Sequence, residues 1–305
     1  MEHINTPVSF GKNETFFLKY NWTYKSLVAL NQNKNFFNKT DAYLDLGVGK
    51  NMLSSIKYWM SAYEILDNKN FFYRDEVSEA IFHPINGLDP YLEREETLWI
   101  MHWRLSSNIN DATLYYWFFN KYKNTKFTKD ELIGSLNSWL NNNTAKKVSP
   151  NTLDRDVNLL LKTYTSKKDE LESVEDHLEN PFTNLELIYK NSDNSYSTAY
   201  KHRDSFDYKM LTFFILILLK EFNKKDLFTS KESEIVPFLE LIDSSEYASI
   251  RNIFRLSENY LMNLIEKIAQ QYNKYFDISE TAGQRNFVIK NNTLSILELL
   301  GDIYK

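Results

Sequence analysis

FTKDELIGSLNSWLNNNTAKKVSPNTLDRDVNLLLKTY, residues 127–164, holds two helix starts in one line. Thr128 and Glu131 form a capping-box pair, each side chain able to satisfy a backbone N–H at the head of the helix. Leu132, Leu136 and Trp139 or Leu140 then supply a buried face. Ser149 before Pro150 marks the second start, with Ser as N-cap and Pro at the first position, where its missing N–H costs nothing. Leu153, Val157, Leu160, Leu161 and Tyr164 fall on one side of this helix. Asn151, Thr152, Arg155 and Asp154 fall on the other, at its N-terminal end. Two helices of this kind joined by a short break predict a helix-turn-helix, whose second helix presents its leading side chains to the major groove.

A second copy of that grammar stands earlier, in TDAYLDLGVGKNMLSSIKYWMSAYEIL, residues 40–66. Thr40 or Asp41 is the expected N-cap, and Gly47 and Gly49 are expected to supply the positive φ for a steep break. Met52, Leu53, Ile56, Trp59, Met60 and Tyr63 form the predicted buried stripe, leaving Lys50, Asn51, Ser54, Ser55, Lys57 and Tyr58 on the other side. Ahead of it, residues 16–22 are aromatic-rich, and Tyr24, Leu27, Val28 and Leu30 predict a leading helix. Residues 71–82 are read as a hairpin wing. Between the two units, residues 91–122 are crowded with aromatics and form the predicted hydrophobic heart, with His102 as a core histidine. In the last third, helices are expected over 208–222, 234–242, 257–272 and 293–304, with a hairpin from 276–280 and 286–290.

The fold class predicted is therefore mainly α, built of tandem helix-turn-helix or winged-helix modules with short β-hairpin wings. Its modules are expected at residues 1–90, 91–168 and 169–305. Length and composition agree, since 305 residues suffice for two or three cores, and 43% hydrophobic content with 20 Tyr and 21 Phe is too rich for disorder. Seven glycines and six prolines are few, against a glycine-punctuated α/β nucleotide fold.

The same totals narrow the chemistry. The chain has no cysteine, so disulfides, thiolate nucleophiles and thiolate-held metals are excluded. A missing basic and apolar leader, and a longest apolar run of only 210–219, place the chain in the cytoplasm as an expectation, without a membrane span. GVGKN at 47–51 departs from a phosphate-binding loop in its glycine spacing and in Asn51, where a hydroxyl should hold magnesium. Glu93, Glu95 and Glu96, and Asp154 with Asp156, lack the Lys or His partner of a catalytic pair and are read as solvated helix faces. The histidines at 3, 83, 102, 177 and 202 have no ligand spacing. Neither enzymatic activity, a cofactor nor a metal is expected.

Net charge is −5, yet residues 121–168 carry ten basic against four acidic residues, followed by an acidic run through 169–179. The nucleic-acid contacts expected from this distribution are Lys50, Asn51, Ser54 and Lys57 on the first unit. On the second they are Lys146, Lys147, Asn151, Thr152, Arg155 and Lys162.

Four stretches, ETFFLKYNW (14–22), LGVGKNMLSSIKYW (46–59), LDPYLEREETLWIMHW (88–103) and SPNTLDRDVNLLLKTY (149–164), resemble the prokaryotic DUF4007 family over most of the chain. Residues 92–96 are more charged here than in the family's pattern. The resemblance implies a context in which members are encoded beside sulfurtransferase-like proteins related to phosphoadenosine-phosphosulfate reductases, and beside DNA-modification or anti-phage defence genes. It carries over no catalytic residue. The expected function is double-stranded DNA binding as a targeting or accessory subunit of such a complex, with other protein subunits as partners and the oligomeric state open between monomer and dimer. The alternatives are an assembly scaffold that never touches DNA, an autonomous transcriptional regulator and, last, a nuclease using Asp154 and Asp156.

Overall fold

Thr128 and Ser149 open the helices assigned to them. The Thr128 hydroxyl accepts the Glu131 N–H while Glu131 accepts the Thr128 N–H at 2.7 Å, so both halves of the capping box are made. The Ser149 hydroxyl accepts the Thr152 N–H at 3.2 Å, with Pro150 as the first helical residue.

The computed structural model describes residues 8–166, 179–222, 234–243, 248–281, 283–290 and 294–305. The chain forms two compact units, Met1–Ala199 and Tyr200–Lys305. The expected modules 1–90 and 91–168 thus share one unit. The 168/169 boundary and the acidic run over 169–176 lie outside the described residues.

The first unit runs α1 (Tyr20–Gln32), a 3-10 turn (Phe36–Asn38), α2 (Ala42–Asp45), α3 (Lys50–Ala62), α4 (Glu76–Phe82), α5 (Glu95–Ser107) and α6 (Thr113–Asn120). It continues with β1 (Lys126–Phe127), α7 (Lys129–Asn143), α8 (Pro150–Tyr164), a 3-10 turn (Pro181–Leu185), β2 (Tyr189–Lys190) and β3 (Tyr196–Ser197). Its sheet is antiparallel, in the order β1-β3-β2. The second unit runs α9 (Tyr208–Phe222), β4 (Glu234–Pro237), α10 (Phe238–Ile242), α11 (Ile250–Phe254), α12 (Glu258–Gln271), β5 (Phe276–Thr281), β6 (Gln284–Ile289) and α13 (Ile296–Ile303). Its sheet is also antiparallel, in the order β4-β6-β5.

One order of elements therefore occurs twice: helix, strand, helices, hairpin, with the lone strand paired to the second strand of the hairpin. The last helices before the two hairpins, α8 and α12, correspond when aligned on Ser149 and Ser257, which stand at their N-cap positions. Leu153, Val157 and Leu160 of α8 and Leu261, Ile265 and Ile268 of α12 then face the two cores at equivalent steps.

The first core is centred on α5, buried continuously over residues 97–106, as a helix must be when neighbours surround it. His102 is a core residue, as the sequence predicts, and its Nδ1 lies 2.8 Å from the Tyr164 hydroxyl. Arg104 reaches out of α5 to hold the head of α4, donating to both Asp75 oxygens at 2.9 and 3.0 Å and to the Glu64 carbonyl at 2.6 Å. Burial pushes the Asp75 carboxyl up, but the guanidinium and the Ser78 hydrogen bonds outweigh it and hold it below the usual carboxylate range.

Four local expectations differ from the structure. Residues 71–82 do not form a hairpin wing: a single bridge joins Leu66 and Tyr73, and Asp75 accepts the Ser78 N–H to start α4. Gly47 has the positive φ expected of it, +67°, whereas Gly49 sits at −77° in extended backbone as the N-cap of α3. Ser55, read as outward, is buried, and its hydroxyl donates to the Phe16 carbonyl. The helix expected over 234–242 is split, because Pro237 ends a strand that pairs with β6.

Candidate nucleic-acid interface

The outer face of α8 is a polar stripe. Asn151, Arg155, Asn158 and Lys162, at steps of four, three and four residues, are all exposed on the side opposite Leu153, Val157 and Leu160. Arg155 makes no ion pair or hydrogen bond among the described residues, nor does Lys147 in the exposed connection from α7. Asp154, flanking the stripe, is bridged by Lys129 at 2.7 Å and accepts from Asn158 at 3.0 Å. That pairing draws one carboxylate away from the open end of the helix.

An inner flank of the same helix holds down the N-terminal segment. Asp156 is buried, accepting the Gly11 N–H at 2.7 Å and the Asn13 amide at 2.9 Å. Burial pushes its carboxyl up, against the lowering effect of those two donors. Gly11 suits this position because its φ is +71°, which a side chain strains, and a Cβ would stand tightly against the Thr152 methyl at 3.2 Å. Ser9 N–H donates to the Thr113 hydroxyl at 2.8 Å, and Lys146 Nζ to the Val8 carbonyl at 2.9 Å, so residues 8–13 are strapped to α6 and α8. The sequence reading of Asp154 and Asp156 as one solvated pair is corrected: they serve different partners on different flanks.

Several expected contact residues are engaged within the protein. Lys57 donates to the Phe37 carbonyl at 2.6 Å and lies over its ring, and desolvation lowers its pKa. Lys162 is exposed, but its ammonium stands 5.3 Å from the Phe17 ring centroid. Thr152 is half-buried, its hydroxyl 2.8 Å from that of Ser149. At the head of α3, Lys50, Asn51 and Ser54 are exposed; Lys50 lies over the Tyr43 ring, and the Ser54 hydroxyl donates to the Lys50 carbonyl at 3.3 Å. The structure thus gathers Lys146, Lys147, Asn151, Thr152 and Arg155 around the leading end of α8. Lys50, Asn51, Ser54 and Lys57 lie on α3, with Lys57 turned inward.

Two features of this surface escaped the sequence reading. Asn158 completes the stripe, and only the step pattern with Arg155 and Lys162 points to it. The β2–β3 hairpin, residues 189–197, stands after α8; its turn Asn191, Ser192, Asp193, Asn194, Ser195 is rich in loop-forming residues, but two-residue strands are too short to show alternation. Asp193 in that turn pairs with Lys126 at 2.8 Å, and the Lys126 and Ser195 hydrogen bonds hold its carboxyl well below the usual range.

The equivalent stripe on α12 is Asn259, Asn263, Glu266 and Gln270, all exposed. Where α8 has Arg155 and Lys162, α12 has neutral amides, and Glu266 stands in the place of Asn158, paired with Arg285 at 3.3 Å. Of the two stripes, that of α8 holds the cations Arg155 and Lys162, and that of α12 holds none. Among the described residues, no three His, Asp or Glu side chains gather to hold a metal, and no helix is long and apolar enough to cross a membrane.

The chain is similar to two solved structures. A magnesium-ion-bound SspB crystal structure aligns with a TM-score of 0.81 at 22% identity, covering 97% of this chain and 88% of that one. Another SspB crystal structure aligns at 0.78 and 22% identity, covering 97% and 86%. At that identity the likeness is one of fold. No curated protein sequence matches. The model of the family described as Protein of unknown function (DUF4007) matches residues 10–304, nearly the whole length, and the chain belongs to that family.

Proposed function

We propose that the chain is a cytoplasmic DNA-binding protein with two winged-helix modules, of which the first grips double-stranded DNA through α8 while β2–β3 serves as its wing. The observation that carries this reading is the α8 stripe: a helix whose exposed face holds Asn151, Arg155, Asn158 and Lys162, with the neighbouring carboxylates buried or paired. The reading is supported by the recurring order of elements and by the β1-β3-β2 and β4-β6-β5 sheets, and a recognition helix of this kind enters the major groove. Arg and Asn are the side chains suited to guanine and adenine edges there. The placement in a defence or DNA-modification complex, as a targeting or accessory subunit without catalysis of its own, rests on the family resemblance. A fold alone does not fix a function.

A second reading, contact with protein subunits, is favoured for the second unit by one observation, the uncharged and acidic stripe of α12. The first module then holds DNA and the second holds a partner.

Affinity of the full chain for a duplex, titrated with salt, tests the DNA reading. Phosphate contact predicts that log K falls by about 0.9 per neutralised phosphate for each log unit of salt. Binding that is indifferent to salt, or absent at low salt, leaves the scaffold.

A further inference from the structure

Away from α8, the first unit has a cavity of about 400 Å³ between α1, α4 and the loop that joins Leu66 to Tyr73. That volume is within the range of small-molecule sites. Leu27, Leu30 and Leu66 make a buried apolar floor. Above it stand three successive aromatics, Phe71, Phe72 and Tyr73, and a rim of polar groups, Asn31, Lys34, Glu79 and His83.

The fold uses little of the polar rim. Among the described residues, the Asn31 amide and the Glu79 carboxylate make no hydrogen bond or ion pair, and Lys34 has only the face of Phe72, 5.9 Å from its ring centroid. His83 Nδ1 accepts the backbone N–H groups of Ile85 and Asn86, at 3.3 and 3.2 Å. Its neutral ring therefore carries the proton on Nε2, as a donor. The site thus has an acceptor in Glu79, a donor in His83, an amide offering both, and one cation at the mouth. Phe72 is 54% exposed, although an aromatic ring usually gains by burial. Next to it, Phe71 is held at a φ of +58°, a left-handed conformation that is costly for a bulky side chain and that collects at ligand sites.

We infer that this cavity is a binding site for a nucleoside monophosphate unit. The base stacks on the exposed Phe72 ring, its edge meets Glu79, Asn31 and His83, and the phosphate is met by Lys34. Each element of that ligand has its counterpart: a planar ring for the aromatic wall, mixed donors and acceptors for the mixed rim, and one dianionic group for the single lysine. A purely apolar ligand makes no use of the polar rim, and a triphosphate finds too little positive charge. The unit comes either from a free nucleotide or from an unpaired nucleotide of a strand, which proteins also take into pockets by stacking and edge contacts. This inference stands apart from the α8 reading, because none of its residues belongs to that face.

Calorimetric titration of the full chain with AMP, GMP, CMP and dTMP, and with a single-stranded oligonucleotide beside its abasic counterpart, tests it. At least one monophosphate, or the base-bearing strand in preference to the abasic one, is expected to bind saturably at concentrations up to about 1 mM. Phe72→Ala, at an exposed position that leaves folding intact, is expected to weaken that binding about tenfold or more. Lys34→Ala is expected to erase the preference for monophosphate over nucleoside. Binding of monophosphates locates the source in free nucleotides, and binding of the strand alone locates it in nucleic acid. Absence of saturable binding by every probe, or binding that Phe72→Ala leaves unchanged, overturns the inference. Duplex affinity governed by α8 is unaffected in either case, so the two readings fail separately.

Discussion

Trp59→Ala is expected to destabilise the first unit by about 3–5 kcal/mol, the cost of deleting a large aromatic from a core that cannot collapse around the space. Trp59 is fully buried on α3, its ring 5.3 Å from that of Tyr63 and 5.9 Å from that of Tyr115. Its Nε1 donates to the Phe16 carbonyl at 2.8 Å and so also fixes the chain ahead of α1. Trp59→Phe keeps most of the packing and loses the donor, with an expected cost of about 0.5–1.5 kcal/mol, because the Phe16 carbonyl keeps the Ser55 hydroxyl at 3.4 Å. Chemical denaturation of the two variants separates packing from hydrogen bonding. Equal losses in both would mean that the indole nitrogen, and not the ring, holds this part of the core.

The double variant Lys147→Ala, Arg155→Ala is expected to weaken duplex binding about a hundredfold at moderate salt, since contacts of this kind are worth roughly 1–3 kcal/mol each. Its salt slope should fall by about 1.8, the share of two phosphates, if both side chains meet the backbone. If Arg155 reads a base instead, the slope should fall by about half of that and discrimination between sequences should decline. Stability should hold within about 0.5 kcal/mol, because both side chains are exposed and make no ion pair or hydrogen bond among the described residues. The corresponding change on the second unit, Asn259→Ala with Asn263→Ala, should leave duplex affinity as it was. Undiminished binding by the first variant would remove α8 from the account.

Local chemistry was what the sequence made legible. Ser149 with Pro150, Thr128 with Glu131, and the leucine steps of α7 and α8 act within one or two turns, so the signal and its structure lie in the same few residues. The same holds for α9, which spans the predicted 208–222, and for the β5–β6 hairpin. Pairing between distant segments was not legible. Strand β4 takes its conformation from β6, some fifty residues later, and reads as helix in isolation. Phe71, Phe72 and Tyr73 have strand-like composition, but the Asp75 cap and its Arg104 partner on α5 make the following residues helical. Side-chain fate was hidden for the same reason. Nothing near Lys57 announces the Phe37 carbonyl, and Asp156 is buried by residues 8–13, which the chain brings back over α8.

A photo-crosslinking amino acid placed at Asn158, in the middle of the exposed α8 stripe, tests the central claim most directly, with Glu266, the corresponding position on α12, as the comparison. Irradiation of the full chain with a duplex is predicted to join DNA at position 158, in a yield that declines as salt rises, and to join little at 266. Position 158 yielding no DNA adduct under conditions in which the chain binds the duplex would contradict a reading in which α8 faces the groove.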